Sequence, residues 1–436
     1  MELSTCLPDN DMVAKQMLQV AQQCLNANQG IPGPESIFLK LVESRANLAL
    51  VLIQRLVKSS IPVKDINQLL STLVGTVNGV EEPFGPDSIS YYRTLLKALF
   101  VTLRAYHTTG TKGGDSHDAF EGTTVTVMQT VLNILDRVVG RGFRALVSLI
   151  HDNEATVAPE DLALLTAILQ ACLSLPNMDQ SQTQVLNIMS EHRALHAATS
   201  LYSWADRLAD QGDPIYGELS MIFLLELSAL PLIAEQMACD GILSNILSAN
   251  LTKFMLKSNL SPYSDSPVVQ RCFGIWSKGL LPLMLNLLTA LGATVAPEIV
   301  YVLNQFPHLL ESSVDRFEAP GASRTQSRAS PHYLTLVAIS EVHSLALLTK
   351  VLAALRVNNN RDIPDVEWDS ATLLENVDFW LSTKKLLKER LMPLGQREID
   401  WRGMKSITGS YDSLLEEKAV AQLDAIRDVL SDEAEG

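Results

Sequence analysis

The sequence has few of the residues that interrupt helices and few cysteines. Glycine and proline number 22 and 19 among 436 residues, and aromatic side chains make up 6%. This composition argues against collagen-like chains, long flexible linkers and the frequent turns of an all-β protein. The five cysteines lie far apart and form no Cys-x-x-Cys pair, so the sequence predicts neither a disulfide framework nor a zinc site.

Positive charge is also scarce. Lysine and arginine number 34 against 49 aspartates and glutamates, which gives a net charge of -15. A general nucleic-acid-binding protein neutralises phosphates with a broad basic surface, so this charge excludes that class. Near the amino end, Glu2 and Asp9 stand where a secretory signal carries positive charge, so no secretory signal is predicted.

Motifs that carry catalysis are missing as well. The sequence contains no Walker phosphate loop, no Gly-x-Ser-x-Gly elbow, no His-Glu-x-x-His pair and no EF-hand spacing. The nearest approach to a metal site is His192 and His196, which would share one face of a continuous helix. They lack an obvious third ligand, and ordinary surface histidines explain them better. We therefore predict no enzyme activity, no cofactor and no bound metal, with this pair as the one enzyme alternative.

The pattern that is present is helical almost throughout. Between residues 124 and 139, Val127, Val131, Leu135 and Val138 recur at the helical period, with polar residues opposite them. Proline and carboxylates stand where first helical turns need them, as in residues 159–161. The periodicity predicts about 14 helical segments and no strands.

A long series of amphipathic helices fits either a closed bundle or a stack of antiparallel helix pairs. Most of these helices keep a polar stripe, which favours the stack. The sequence therefore predicts an all-α protein: one superhelical α-solenoid domain over residues 1–436, built from degenerate HEAT/armadillo-like helix pairs. Residues 311–332 lack apolar periodicity and are predicted to form a flexible loop, and residues 431–436 an acidic tail.

One segment is apolar enough to raise the question of a membrane. Residues 279–297 carry no charge and are roughly long enough to cross a bilayer. They also contain two prolines and an asparagine, and no aromatic belt flanks them. A buried helix is the favoured interpretation, and no transmembrane span is predicted.

Three stretches, residues 279–313, 340–355 and 377–403, resemble the carboxy-terminal tail of the large inner-ring scaffold nucleoporins of fungi. The resemblance implies a karyopherin-like superhelix located in the nucleus, in the nuclear pore complex at the nuclear envelope. It also implies a docking platform for an amphipathic helix of a linker-type inner-ring nucleoporin. As further partners it implies disordered nucleoporin segments or transport factors. The alternative from another class is a soluble karyopherin-type transport receptor that binds cargo peptides.

The carboxy-terminal region is the predicted site of docking, because a terminal solenoid unit has one uncovered face. A basic run at residues 384–390 follows an apolar stripe there, which suits a solvated face or the wall of a groove for an acidic helix. The predicted contact residues form two stripes, most of whose members must be core: Leu373, Val377, Trp380, Leu387, Leu415, Leu423 and Ile426.

Overall fold

The computed structural model describes residues 11–29, 36–58, 62–110, 120–152, 156–208, 212–257, 259–319, 333–359 and 363–434. All regular secondary structure in these ranges is helical, apart from an isolated parallel bridge between Leu334 and Leu391. The predicted all-α fold class is confirmed.

Contacts between Cα atoms divide the chain into two compact units, residues 1–200 and 201–436. The helices that lie wholly within the first unit are α1 (Asp11–Gln29), α2 (Ser36–Leu56), α3 (Val63–Asn78), α4 (Ile89–Gly110), α5 (Phe120–Ile134), α6 (Arg141–His151), α7 (Pro159–Leu173) and α8 (Gln182–Glu191). Helix α9 (Ala194–Ser203) contains the division. Within this unit α1 packs on α2, α2 and α3 pack on α4, and α4 packs on α7. This packing of near neighbours is that of an α-solenoid.

The second unit has more and shorter helices. They are α10 (Ala205–Leu208), α11 (Ile215–Ser228), α12 (Pro231–Cys239), α13 (Ile242–Ser248), α14 (Asn250–Lys257), α15 (Pro267–Gly274), α16 (Leu281–Leu291), α17 (Ala296–Asn304), α18 (Pro307–Asp315), α19 (Leu336–Asn359), α20 (Ser370–Ser382), α21 (Lys384–Arg390), α22 (Gln396–Gly403) and α23 (Leu414–Ala434). Here α12 packs on α16, α16 on α19, and both α19 and α20 on α23.

The described residues thus form 23 α-helices, more than the sequence predicts. Several helices begin or end at residues with positive φ. Asn177 and Arg193 adopt φ of 68° and 52°, and Gly241 and Gly292 adopt φ of 66° and 56°. Such values end a right-handed helix, and they are hard to read from sequence where the residue is not glycine.

The predicted apolar face of residues 124–139 is confirmed. Val127, Val131, Leu135 and Val138 are buried, on a helix that continues from α5 into α6 through a π-helical turn, Leu135–Gly140. The turn ends at a glycine for a steric reason. A Cβ atom on Gly140 would lie 2.6 Å from Cδ2 of His192, closer than real Cβ contacts allow.

The predicted start at residues 159–161 is also confirmed. Pro159 is the first residue of α7, and the Asp161 carboxylate accepts a hydrogen bond from the Ala158 backbone N–H at 2.9 Å. The same carboxylate accepts two bonds from the Arg93 guanidinium, at 2.6 and 2.7 Å. One aspartate therefore caps α7 and joins it to α4.

Two predicted boundaries change in the structure. The loop expected at residues 311–332 begins later, because α18 continues to Asp315 and the 320–332 portion lies outside the described residues. The tail expected at residues 431–436 is helical through Ala434, since α23 extends over most of it. In both places the helix starts in apolar sequence and continues into the polar residues that follow.

Two helical stretches, Pro267–Thr294 and Leu336–Val357, are long and apolar enough to span a membrane by length and composition. The bent pair Pro159–Leu173 and Met178–Glu191 would add a third if it counted as one span. About half of each single stretch is buried inside the protein, 56% and 50% of its most apolar window. This burial supports the core-helix interpretation of residues 279–297, and the absence of a span stays a prediction.

Candidate partner-docking surface

All the residues predicted for partner contact are buried in one hydrophobic core of the second unit. Each is at most 1% exposed. They are Leu373, Val377 and Trp380 on α20, Leu387 on α21, and Leu415, Leu423 and Ile426 on α23. The structure therefore places these side chains in helix packing, and none of them offers surface to a partner.

Trp380 shows how this core is fixed. Its indole Nε1 donates a hydrogen bond to the Phe317 carbonyl oxygen at 2.8 Å, and its ring meets Phe379 edge to face at 5.6 Å. Trp368 makes a similar bond from Nε1 to Ser313 Oγ at 2.9 Å. Each indole N–H forms a hydrogen bond while its ring packs among apolar side chains, and these bonds connect the α20 region to the end of α18.

Five exposed apolar residues lie in the stretch that connects α21 to α23. They are Met392 and Leu394, 39% and 37% exposed, Ile399 and Met404, each 51% exposed, and Ile407, 83% exposed. Helix α22, which contains Ile399, has no buried residue. We call these five side chains the α22 surface. Contiguous exposed apolar patches mark protein contacts, and the concentration of five exposed apolar side chains in residues 392–407 makes this stretch the candidate.

Local hydrogen bonds hold this stretch in place. The Glu398 carboxylate accepts from the Leu394 backbone N–H at 2.9 Å, which caps the start of α22. At the other end the Leu414 N–H donates to the Met404 carbonyl at 3.0 Å. The α22 surface is therefore fixed at both ends of its helix.

Trp401 lies at the inner side of α22. Its ring packs against the hydrophobic core while two cations lie over it, the Arg397 guanidinium at 4.7 Å and the Lys418 ammonium at 4.8 Å. Cations over an indole face are held electrostatically and keep their hydrogen-bond donors free for other groups. This arrangement presents positive charge beside the apolar side chains.

The surrounding sequence is basic in an acidic protein. Residues 384–405 contain seven lysines or arginines and three acidic residues, against a net charge of -15 for the chain. Lys388 is neutralised by Asp412 at 2.5 Å, and this hydrogen bond raises the pKa of its ammonium group. Lys385, Arg402 and Lys405 form no ion pair within the described part of the chain. The α22 surface therefore combines apolar contact with unpaired positive charge.

This surface is not among the residues predicted from the sequence. The predicted basic run ends at residue 390, and the apolar residues beyond it follow no helical stripe because Pro393 and Gly395 break the pattern. The usable signal was the seven cations interleaved with apolar residues over 384–405.

The predicted arrangement of the two histidines is wrong. Helix α8 ends at Glu191, Arg193 has positive φ, and α9 begins at Ala194, so His192 and His196 do not share one helix. His192 Nε2 lies 2.6 Å from the Asp136 carboxylate, and His196 is exposed. Among the described residues no group of three or more histidine, cysteine, aspartate or glutamate side chains could hold a metal ion.

A family model described as the nuclear pore protein NUP188 C-terminal domain matches residues 69–430. Nucleoporin NUP188 of Chaetomium thermophilum is 48% identical over 98% of this chain, and that of Saccharomyces cerevisiae is 25% identical over 54%. The chain spans 25% of the length of the first relative and 14% of the second.

A solved structure shows the same likeness in three dimensions. A Nup188 segment from Myceliophthora thermophila is 58% identical and superposes with a TM-score of 0.74. The match covers 85% of this chain and 99% of that segment.

Proposed function

Because this chain belongs to the nuclear pore protein NUP188 C-terminal domain family, we propose that it is a non-catalytic scaffold module that docks short helical segments of other nucleoporins. Its relatives are nucleoporins, and the nuclear pore complex at the nuclear envelope is the location of this family. Within that complex the proposed position is the inner ring, where scaffold contacts contribute to nucleocytoplasmic transport.

The α22 surface is the observation that carries the docking proposal. Helical peptides bind grooves through apolar residues repeated at the helical period, and flanking charges set their orientation. Here the apolar part is supplied by Ile399, Met404 and Ile407, and the charged part by Arg402 and Lys405. The matching partner is an amphipathic helix, acidic on its polar face, from a linker-type inner-ring nucleoporin.

The residues predicted from sequence enter this proposal indirectly. Leu373, Val377 and Trp380 hold α20 in place, while Leu415 and Leu423 hold α23, against which α22 packs. We propose that this core supports the α22 surface. The transport-receptor alternative is not favoured, because the relatives are nucleoporins.

The test is a titration of the whole chain into dye-labelled peptides that cover the amphipathic helices of linker-type inner-ring nucleoporins. At least one peptide should bind with micromolar affinity or tighter. Arg402→Glu/Lys405→Glu should weaken its binding by about tenfold, since each lost exposed ion pair is worth up to about 1 kcal/mol. Ile407→Asp should weaken it as well, because it puts a carboxylate among the apolar contacts.

Val357→Asp is the matched control, because Val357 is 84% exposed and Ile407 83% exposed. It should leave binding unchanged. Absence of binding for every peptide, or equal loss with the control variant, would refute the proposed docking site.

A further inference from the structure

A cleft in the first unit lies far from the α22 surface in sequence. It encloses about 670 Å³ between the end of α1, the faces of α2 and α3, the connection at residues 79–88 and the start of α4. Binding pockets for ligands and peptide side chains commonly have this volume. We call it the 79–88 cleft.

The connection that forms one side of the cleft is well anchored. Phe84 is buried and meets the Tyr92 ring edge to face at 5.4 Å. The backbone N–H groups of Ser88 and Ile89 both donate to the Gly85 carbonyl at 3.0 Å. The backbone of this connection is therefore held in place, and its exposed carboxylates extend from it.

The charged residues that line the cleft are all acidic. Glu81, Glu82 and Asp87 line it, and no lysine or arginine is among its lining residues. In the part of the chain that the structure describes, these three carboxylates form no ion pair. Arg137 and Arg141 line an adjoining cavity of about 360 Å³ that shares Glu81 and Glu82 with the cleft, and they form no ion pair with either glutamate.

A buried hydrogen-bond acceptor also lines the cleft. Asn28 is only 7% exposed, and its Nδ2 donates to the Val42 carbonyl at 3.1 Å. Its Oδ1 makes no hydrogen bond to any described group. A buried carbonyl oxygen left without a donor costs free energy, which an N–H donor that reached this oxygen would recover.

The form of the ligand follows from the spacing of these groups. Glu81 and Glu82 are adjacent in the connection and Asp87 follows five residues later, so the charge is distributed along its length. Opposite it, Phe38 is 41% exposed, with Leu39 and Val42 beside it in the wall. A chain of cationic side chains interleaved with apolar ones matches both walls.

We propose that the 79–88 cleft binds an extended protein segment rich in lysine and arginine, with apolar residues between them. The cations meet Glu81, Glu82 and Asp87, and the apolar side chains pack on Phe38. The neighbouring stretches 1–10 and 30–35 contain no lysine or arginine, so they cannot supply this charge. The proposal does not depend on the α22 surface and assigns a second partner of opposite charge.

The experiment measures fluorescence anisotropy of two dye-labelled peptides with the whole chain. One peptide alternates leucine with lysine and arginine, and the other carries glutamine at every basic position. The basic peptide should bind saturably and at least about tenfold more tightly than the neutral one. The triple variant Glu81→Gln/Glu82→Gln/Asp87→Asn should lose about tenfold in affinity for the basic peptide, and Phe38→Ala should weaken it further.

The matched control removes the same charge elsewhere, in Glu235→Gln/Glu375→Gln/Asp378→Asn, whose three side chains are exposed. This control, and Arg402→Glu/Lys405→Glu, should bind the basic peptide at least as well as the unaltered chain. Equal binding of both peptides, or an equal loss in the two neutralised variants, would overturn the proposal. All variants change exposed residues, and an unchanged melting temperature identifies those that fold correctly.

Discussion

At the scale of single residues, the second unit depends on a buried polar cluster. Glu341 is fully buried and accepts hydrogen bonds from Trp276 Nε1 at 2.8 Å and Arg316 Nη2 at 2.5 Å. The Arg316 guanidinium also lies over the Phe273 ring at 5.0 Å. Burial raises the pKa of Glu341, while the arginine and the indole act in the opposite direction. Each member of this cluster therefore depends on the others.

Removing one charge of this pair should cost more than removing both. Glu341→Met leaves Arg316 without its partner in a site where 11% of its side chain is exposed. We expect a loss of about 3–5 kcal/mol in the free energy of unfolding. The double variant Arg316→Met/Glu341→Met should lose less, because no unpaired charge remains. Urea denaturation measures the free energy of unfolding of the two variants. A larger loss of this free energy in the double variant would contradict this account.

Trp380 gives the second prediction at this scale. Trp380→Ala empties a fully buried site and removes the bond to Phe317, so the free energy of unfolding should fall by about 3–5 kcal/mol. Trp380→Phe keeps most of the ring and should lose clearly less. Weakened partner binding with an unchanged melting temperature would instead show that the indole itself is a contact residue.

At the scale of elements, α20 begins with a side-chain cap. The Asp369 carboxylate accepts a hydrogen bond from the Thr372 backbone N–H at 3.0 Å. Hydrogen bonds from the Thr372 side chain and backbone lower the pKa of Asp369. A lowered pKa in the folded state means that the carboxylate stabilises folding above its unfolded pKa. This contribution is lost as the pH falls through the folded value.

Asp369→Ala should therefore destabilise the protein by about 1 kcal/mol at neutral pH. The difference from the unaltered chain should shrink as the pH falls below about 4, because the carboxylate protonates first in the unfolded state and then, at its lowered pKa, in the folded state. Unfolding curves at several pH values measure this difference, and Asp369→Asn serves as the control, since its amide caps without titrating. A constant difference down to pH 2 would show that the cap charge is not involved.

The elements also show what the sequence could predict. Helix starts such as residues 159–161 were correct, because proline and carboxylates act locally. The break between α8 and α9 was missed, since Arg193 adopts a positive φ that its side chain does not favour. The apolar stripes of α20 and α23 were found, but a stripe alone cannot tell a core face from a docking face. That distinction needs the packing of α20 on α23.

At the scale of the whole molecule, charge is unevenly distributed. The chain carries -15 overall, yet residues 384–405 are net positive and the 79–88 cleft holds only carboxylates. Because the two sites carry opposite charge, each site favours a different partner and disfavours the partner of the other site. The single superhelical domain predicted from sequence stays a prediction, and each of the two compact units is built from helices packed on their near neighbours.

Hydrogen exchange of the whole chain, with and without a bound amphipathic peptide from a linker-type nucleoporin, tests the central claim most directly. Docking at the α22 surface predicts slower exchange of backbone amides in residues 392–407, with the first unit unchanged. Protection confined to other residues, with none at 392–407, would contradict the account.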